Sequence, residues 1–570
     1  MAEEILCMGL VVKIVSIASI CSVMFSHLRQ RSLQVLFSTA SLVLCSLPAQ
    51  AAETVYVSLG LLEISISVES LEQYAEEGTI TQELAAYTRY LNAEQKQKLQ
   101  EVLTIPAELD TLAIAQFLYS PQGEAVLRQF GEIIDTKARQ GGFYAIRSAL
   151  ILAAADPEGL TLLNFLNHFP TQGLRINSGR GLELVNQLSQ FIKQTDQTVA
   201  LIEQQAQQES ITSSSTKGTN FSRNLQSPGT VPYIRQTLDL VDQQRKSLQP
   251  EITPFITRKI PTSLYLPQTP TFERPPLIVI SHGLGSDRTT YSYLAQHLAS
   301  YGFAVATIEH PGSNARQLQS LLMGLKDEVS PPSELINRPR DIKFLLDYLE
   351  QNYNTQINLN QVGILGQSYG AYTSLAVAGA TINYEQVFQK CQTQEIATVL
   401  NFSVLLQCQL LRLPRNDYNF EDPRVKAIFA INPLTSILFG QAGLAEIDIP
   451  ALLVTGSADT VTPALPEQIR PFTWLEPPAK YLALLKQGTH FSTLAEGTEE
   501  GIPVPKEAIG PDPAIAQNYI RALSTAFFKT HLANETNYQP YLSSEYANAM
   551  SRAAMPLFLL ESLPEKVTDL

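Results

Sequence analysis

Val362-Gly363-Ile364-Leu365-Gly366-Gln367-Ser368-Tyr369-Gly370-Ala371-Tyr372-Thr373-Ser374-Leu375-Ala376 decides the reading of this chain. A short apolar run reads as a buried strand, the tail reads as a helix, and G-x-S-x-G joins them. That order describes a nucleophile elbow, where small residues on either side let the backbone turn sharply enough to lift a serine Oγ clear of it. Ser368 is therefore the candidate nucleophile. The motif by itself also fits a glycine-rich turn with a solvated serine, so the reading depends on what else the chain supplies.

It supplies a second turn. Pro275-Pro276-Leu277-Ile278-Val279-Ile280-Ser281-His282-Gly283-Leu284-Gly285-Ser286 is a continuous apolar run that ends in glycines, the pattern of a strand buried on both faces. Acyl transfer through a serine needs such a turn, because the tetrahedral intermediate carries an oxyanion that preorganised N–H donors must meet. The amide after the nucleophile, Tyr369, is one expected donor, and an amide in this turn, Leu284, is the other.

The serine needs a base, and the base needs a carboxylate to hold its tautomer. Pro450-Ala451-Leu452-Leu453-Val454-Thr455-Gly456-Ser457-Ala458-Asp459 is a strand ending in a turn that presents Asp459, the expected acid. Lys480-Tyr481-Leu482-Ala483-Leu484-Leu485 leads to Gly488-Thr489-His490, the expected base. The order Ser368, Asp459, His490 is the hydrolase order. Asp341, Asp422 and Asp448 compete for the acid. Among the other histidines, His27 lies in a targeting segment and His168 in a separate N-terminal region. His282 and His310 follow strands and are expected at the site edge or on backbone groups, while His297 and His531 fall in helical patterns as surface or packing residues.

The stretch Leu277 to Pro311, with Ser281-His282-Gly283-Leu284-Gly285-Ser286 and Ile308-Glu309-His310, resembles the platelet-activating factor acetylhydrolases. It also looks like the bacterial proteins grouped with dienelactone hydrolases. The likeness extends over about residues 231 to 530. It implies an α/β-hydrolase fold, a carboxylic-ester substrate and an oxyanion hole from Leu284 and Tyr369. Two positions depart from the acetylhydrolases. Asn432 ends the strand Val425–Ile431, where those enzymes carry the triad acid, so the acid is expected one strand later at Asp459. Gln367 precedes the nucleophile where they have histidine.

With 570 residues, 45% of them hydrophobic, the chain can bury more than one core. A formal charge of -14 argues against a nucleic-acid partner, which requires a basic footprint. No metal motif such as H-E-x-x-H and no dinucleotide or phosphate loop is evident, so no cofactor is expected.

Residues 1–51 read as a targeting segment: Arg29 and Arg31 precede the apolar Leu33–Cys45, and Ala49-Gln50-Ala51 makes an A-x-A cleavage site. Export to the periplasm or beyond follows. An earlier apolar stretch, Ile5 to Phe25, reads as an extension upstream of a true start at Met24, with a membrane anchor as the alternative. Cys7, Cys21 and Cys45 leave with this segment, and the remaining Cys391 and Cys408 are a disulfide candidate or two buried thiols.

Residues 52–208 are expected to form a mainly helical domain opened by a hairpin. Val55, Val57 and Leu59 alternate, as do Ile64, Ile66 and Val68. Ser70-Leu71-Glu72-Gln73 has capping-box character, two buried helices flank Asp156-Pro157, and Leu184, Val185, Leu188, Phe191 and Ile192 share a helix face. The region resembles a domain of unknown function found upstream of hydrolases in cyanobacterial proteins. Its apolar stripes read as core, with a lid or lipid-docking role as the sharper alternative. A polar linker is expected over 209–230. The hydrolase domain, 231–570, is expected to be a mostly parallel sheet with helices on both faces. An insertion at 382–419 would cap the acyl pocket, lined by Val404-Leu405-Leu406 and Leu410-Leu411. The chain thus reads as an exported serine hydrolase of lipid-like or short-acyl esters, with envelope or peripheral membrane association open. The alternatives are a peptidase or lactone hydrolase on the same triad, or an inactive hydrolase fold that binds a partner.

Overall fold

The computed structural model describes residues 51–568 apart from 60–61, 108–109, 218–220, 249–250, 252–253, 269–273, 393–400 and 496–505. The expected targeting segment, except Ala51, lies outside the described residues. Contacts divide the chain into two units: residues up to 189 with 321–328, and 190–320 with 329–570.

In the first unit, β1 (Thr54–Leu59) and β2 (Leu62–Ser67) form the antiparallel hairpin that the alternation requires. Two further strands, β3 (Ile134–Thr136) and β4 (Gly173–Asn177), complete a sheet in the order β2-β1-β4-β3. β3, at three residues, is too short to show a period-2 signal, and the brief alternation of Leu174 and Ile176 in β4 was missed, so the unit is helices around a small sheet, not helices with one hairpin. The first helix begins at Val68, not Ser70, because Ser67 accepts the Ser70 amide and is the N-cap. Helices Phe143–Ala154 and Leu162–Asn167 flank Asp156-Pro157 as expected.

The helix Ser178–Lys217 overrides the expected boundary at 208 and takes in the start of the expected linker. Side-chain pairs four residues apart, Gln207 to Glu203 and Gln205 to Glu209, support it, and Thr212 donates to the Gln208 carbonyl. A serine- and threonine-rich composition reads as linker, yet the Thr212 hydroxyl satisfies itself on the preceding turn. Val199, Ile202 and Ala206 of this helix are buried in the core of the second unit.

That unit is built on nine strands: β5 (Tyr233–Lys246), β6 (Phe255–Pro267), β7 (Pro276–Ser281), β8 (Ala304–Ile308), β9 (Asn358–Gln367), β10 (Val425–Ile431), β11 (Ala451–Gly456), β12 (Lys480–Leu485) and β13 (Leu557–Leu560). Their order is β13-β12-β11-β10-β9-β7-β8-β6-β5. The six from β8 to β12 run parallel, and β6 and β13 join antiparallel at either side. The continuous apolar runs follow from burial on both faces. Leu277, Val279 and Ile364 face a core that includes the helices Glu334–Tyr353 and Tyr369–Val377. Ile278, Ile280 and Leu365 face another that includes Ser292–Ser300 and Pro513–His531. This is the α/β-hydrolase fold. The edge strand β13 was not foreseen.

Candidate active site

Ser368 stands between β9 and the helix Tyr369–Val377 at φ 54°, ψ -117°, a backbone region a non-glycine residue rarely enters and holds only when its surroundings enforce it. The two glycines of the motif show how. A Cβ on Gly366 would lie 2.1 Å from the Gly370 carbonyl oxygen, and one on Gly370 would lie 2.0 Å from that of Ser281. The strand end, the elbow and the end of β7 thus approach to distances that exclude side chains.

Asp459 and His490 are brought together at the ends of β11 and β12. The His490 Nδ1 lies 2.7 Å from Asp459 Oδ2. The carboxylate also accepts the Val461 and Thr462 amides, each at 2.8 Å, and the Thr462 hydroxyl at 2.9 Å. Those donors fix its orientation. Thr462 was missed by sequence reasoning; the signal was the Asp-x-x-Thr spacing, in which an aspartate caps the amides that follow it. Asn432, at φ 46°, is no acid: its Oδ1 accepts the Gly456 amide and its Nδ2 reaches the Thr489 carbonyl, bracing the turns that carry Asp459 and His490. Gln367 donates to the His490 carbonyl at 3.1 Å, and its Oε1 fills the space where Gly283 would carry a Cβ. It therefore spans the base loop and the glycine-rich turn.

The serine side of the arrangement is open. Among the described residues, neither Ser368 Oγ nor His490 Nε2 has a hydrogen-bond partner, so the link between them is not formed in this structure; such links are commonly loose before substrate binds. The Leu284 and Tyr369 amides likewise have no acceptor among the described residues.

The competing residues go elsewhere. Asp341 pairs with Arg258 and Arg245, Asp422 with Arg424, and Asp448 is exposed. Ser281, His310 and Asp341 repeat the Ser–His–Asp hydrogen-bond order, with His310 Nε2 3.0 Å from Ser281 Oγ and Nδ1 2.9 Å from Asp341. All three are 0% exposed, so this serine meets no substrate. His282 accepts the His310 amide, His297 binds Thr525 and His531 binds Tyr481. Among the described residues no cluster of His, Cys, Asp and Glu could hold a metal ion.

Cys391 and Cys408 are bridged, their Cα atoms 5.8 Å apart. In the insertion they staple, Val404 and Leu410 are buried in the sheet's core with Leu406 and Leu411 packed against it, which fastens the segment down; residues 393–400 lie outside the described residues. Glu467, fully buried, is a second fastening. It accepts from Asn401, Gln407, the Thr435 amide, and both the amide and hydroxyl of Ser436, at 2.5 to 3.0 Å. The Ser403 amide donates to the Val461 carbonyl, so the insertion reaches the turn that holds Asp459.

Comparison with known proteins agrees with this group of folds. Residues 51–177 match a family model described as an alpha/beta hydrolase of unknown function, and residues 258–336 match that of platelet-activating factor acetylhydrolase, isoform II. The chain is 58% identical to the dog platelet-activating factor acetylhydrolase over 45 residues, 8% of this chain and 10% of that protein. It is 53% identical to the Bos taurus enzyme over the same length and coverage. With the hydrolyase poxO of Penicillium oxalicum it shares 30% over 142 residues, 25% of this chain and 32% of that one. The chain thus spans a tenth to a third of the relatives it matches. Fold and matches together place it in the α/β-hydrolase group. Neither family match includes Ser368, Asp459 or His490.

Two outcomes follow from the buried groups. Burial, aided by nearby arginines, holds His282 and His310 well below the ordinary 6.5, burial and Arg521 take His297 to about 4, and burial lowers His531. Each folded-state value lies below the unfolded one, so stability is complete above about 6.5 and declines below it, where the unfolded chain takes up protons the native state refuses. Each such proton adds about 1.4 kcal/mol per pH unit to the slope. Urea midpoints should fall from pH 7.5 to 5.5, and a flat profile would contradict the neutral, buried histidines. For the insertion, Glu467→Ala strands buried donors and should destabilise by at least about 3 kcal/mol, as much as the loss of a bridge closing a loop of this size. An unchanged midpoint would remove the fastening role.

Proposed function

We propose that the protein is an exported serine hydrolase of carboxylic esters. One observation carries the reading: a strained Ser368, whose Oγ has no hydrogen-bond partner among the described residues, stands on the same strand-end edge of one sheet as a buried His490–Asp459 pair. In this reading His490 takes the Ser368 proton as Oγ attacks the ester carbonyl. The amides of Leu284 and Tyr369 meet the oxyanion, and the alcohol leaves with the proton from His490. Water then repeats the sequence on the acyl-enzyme. Asp459 holds the imidazole and balances its charge. The likeness to the acetylhydrolases, which covers the Leu284 turn, supports a lipid-like or short-acyl ester. The Cys391–Cys408 bridge supports an oxidising compartment.

The test is a rate series on p-nitrophenyl esters of increasing chain length, with matching anilides and lactones. Ser368→Ala should lower kcat at least about a thousandfold without unfolding the protein. Asp459→Asn should lower kcat strongly, while Asp422→Asn and Asp448→Asn leave it near wild type. Turnover in the Ser368 variant would overturn the assignment. Faster turnover of anilides or lactones would move the substrate class, and no turnover of any ester would leave a binding module.

A further inference from the structure

The turn Ser281-His282-Gly283-Leu284 is held by more side-chain chemistry than a surface loop needs. His282 is buried, and its Nε2 accepts the backbone amide of His310 at 3.0 Å. A nitrogen that accepts carries no proton, so the neutral ring keeps its proton on Nδ1. That nitrogen lies 2.7 Å from the Gly283 carbonyl oxygen and donates to it. The Gly283 carbonyl and the Leu284 N–H belong to one planar peptide. Fixing the carbonyl fixes the direction of the N–H.

Arg338 reaches the same turn from the helix Glu334–Tyr353 and is fully buried. It donates to the His282 carbonyl, to Ser313 Oγ at 2.7 Å and to Thr373 Oγ1 at 3.2 Å, and its guanidinium lies 4.6 Å from the centroid of the Tyr369 ring. Ser313 in turn accepts the Gly285 amide, and Thr373 donates to the Tyr369 carbonyl. Among the described residues, no carboxylate forms an ion pair with Arg338: Glu334 pairs with Arg258, and Asp341 with Arg258, Arg245 and His310. A buried cation whose hydrogen-bond acceptors are neutral oxygens is costly, and what this one touches is the pair of segments that carry Leu284 and Tyr369.

We propose that His282 and Arg338 are positioning residues of the oxyanion hole: His282 sets the plane of the peptide that carries the Leu284 N–H, and Arg338 locks that turn to the one carrying Tyr369. This rests on the serine-hydrolase reading above. Neither residue touches the reacting atoms. Their effect runs through the backbone donors and should be felt where the oxyanion exists, in the transition state, and hardly in substrate binding.

The experiment exploits the two ring nitrogens. His282→Asn keeps an N–H donor near the Nδ1 position, whereas His282→Gln places its amide nearer Nε2 and loses that donor. With a short p-nitrophenyl ester, the Gln variant should lose about 10- to 100-fold in kcat, part of the cost of deleting an oxyanion donor, with KM within about threefold. The Asn variant should recover most of the loss. Affinity for a trifluoromethyl ketone, whose adduct carries the oxyanion, should fall in step with kcat. A role in packing alone predicts the opposite ranking, since Gln is closer to His in volume, so equal losses or a worse Asn variant would overturn the proposal. Should neither variant fold, Arg338→Lys decides: it keeps the charge but loses the fork that reaches His282, Ser313 and Thr373 together, and an unchanged kcat would overturn the lock. Ser368→Ala runs alongside. If it still turns over ester, the hydrolase reading fails. If it is inactive while His282→Gln keeps wild-type kcat, only the positioning role fails.

Discussion

The active edge depends on one steric constraint: the end of β7 and the elbow touch backbone to backbone. No Cβ fits on Gly370 because the Ser281 carbonyl is already there, and none fits on Gly366 because the Gly370 carbonyl is there. Everything that chemistry requires hangs from this contact. It places the turn with Leu284 beside the turn with Tyr369 and forces Ser368 into its positive φ. Because the strands are parallel and adjacent, it also aligns the ends of β9, β10, β11 and β12, where Ser368, Asn432, Asp459 and His490 follow. A strained residue persists only when its surroundings over-determine it, and here two glycines and a sheet register do so.

Around that contact the molecule buries charge heavily. Burial opposes the Arg258 charge, yet Asp341 and Glu334 outweigh it and raise its pKa, while burial pulls Arg338 down to about 10. The network runs from Arg245 and Arg258 through Asp341 to His310 and Ser281, and from Arg258 through Glu334 and Ser313 to Arg338. Such networks add little net stability over an apolar core, and they are severe when broken. Their value here is directional, since an apolar core could not tell the Gly283 carbonyl which way to point.

Much of this was legible in the sequence. The chain order of Ser368, Asp459 and His490, the two turns and the pairing of Asp459, not Asn432, with His490 could be read because each lies at the end of a long apolar strand, where the pattern is strongest. The hairpin at Val55 and Ile64 was legible for a similar reason, as strict alternation. The failures share a different cause. β3 is shorter than a period can show, the alternation of Leu174 and Ile176 in β4 went unread, and the helix through Thr212 has a composition that says linker although Thr212 bonds back to its own preceding turn. Arg338 could not be seen at all, since a lone arginine in a helix reads as solvated.

The central claim is that Ser368 is the activated nucleophile, and peptide mapping after reaction with a fluorophosphonate tests it most directly. The account predicts one label per chain, on the peptide containing Ser368, formed slowly or not at all once Asp459 is Asn, because the base then loses its orienting carboxylate. A label on any other serine, or none on a folded protein, would contradict it.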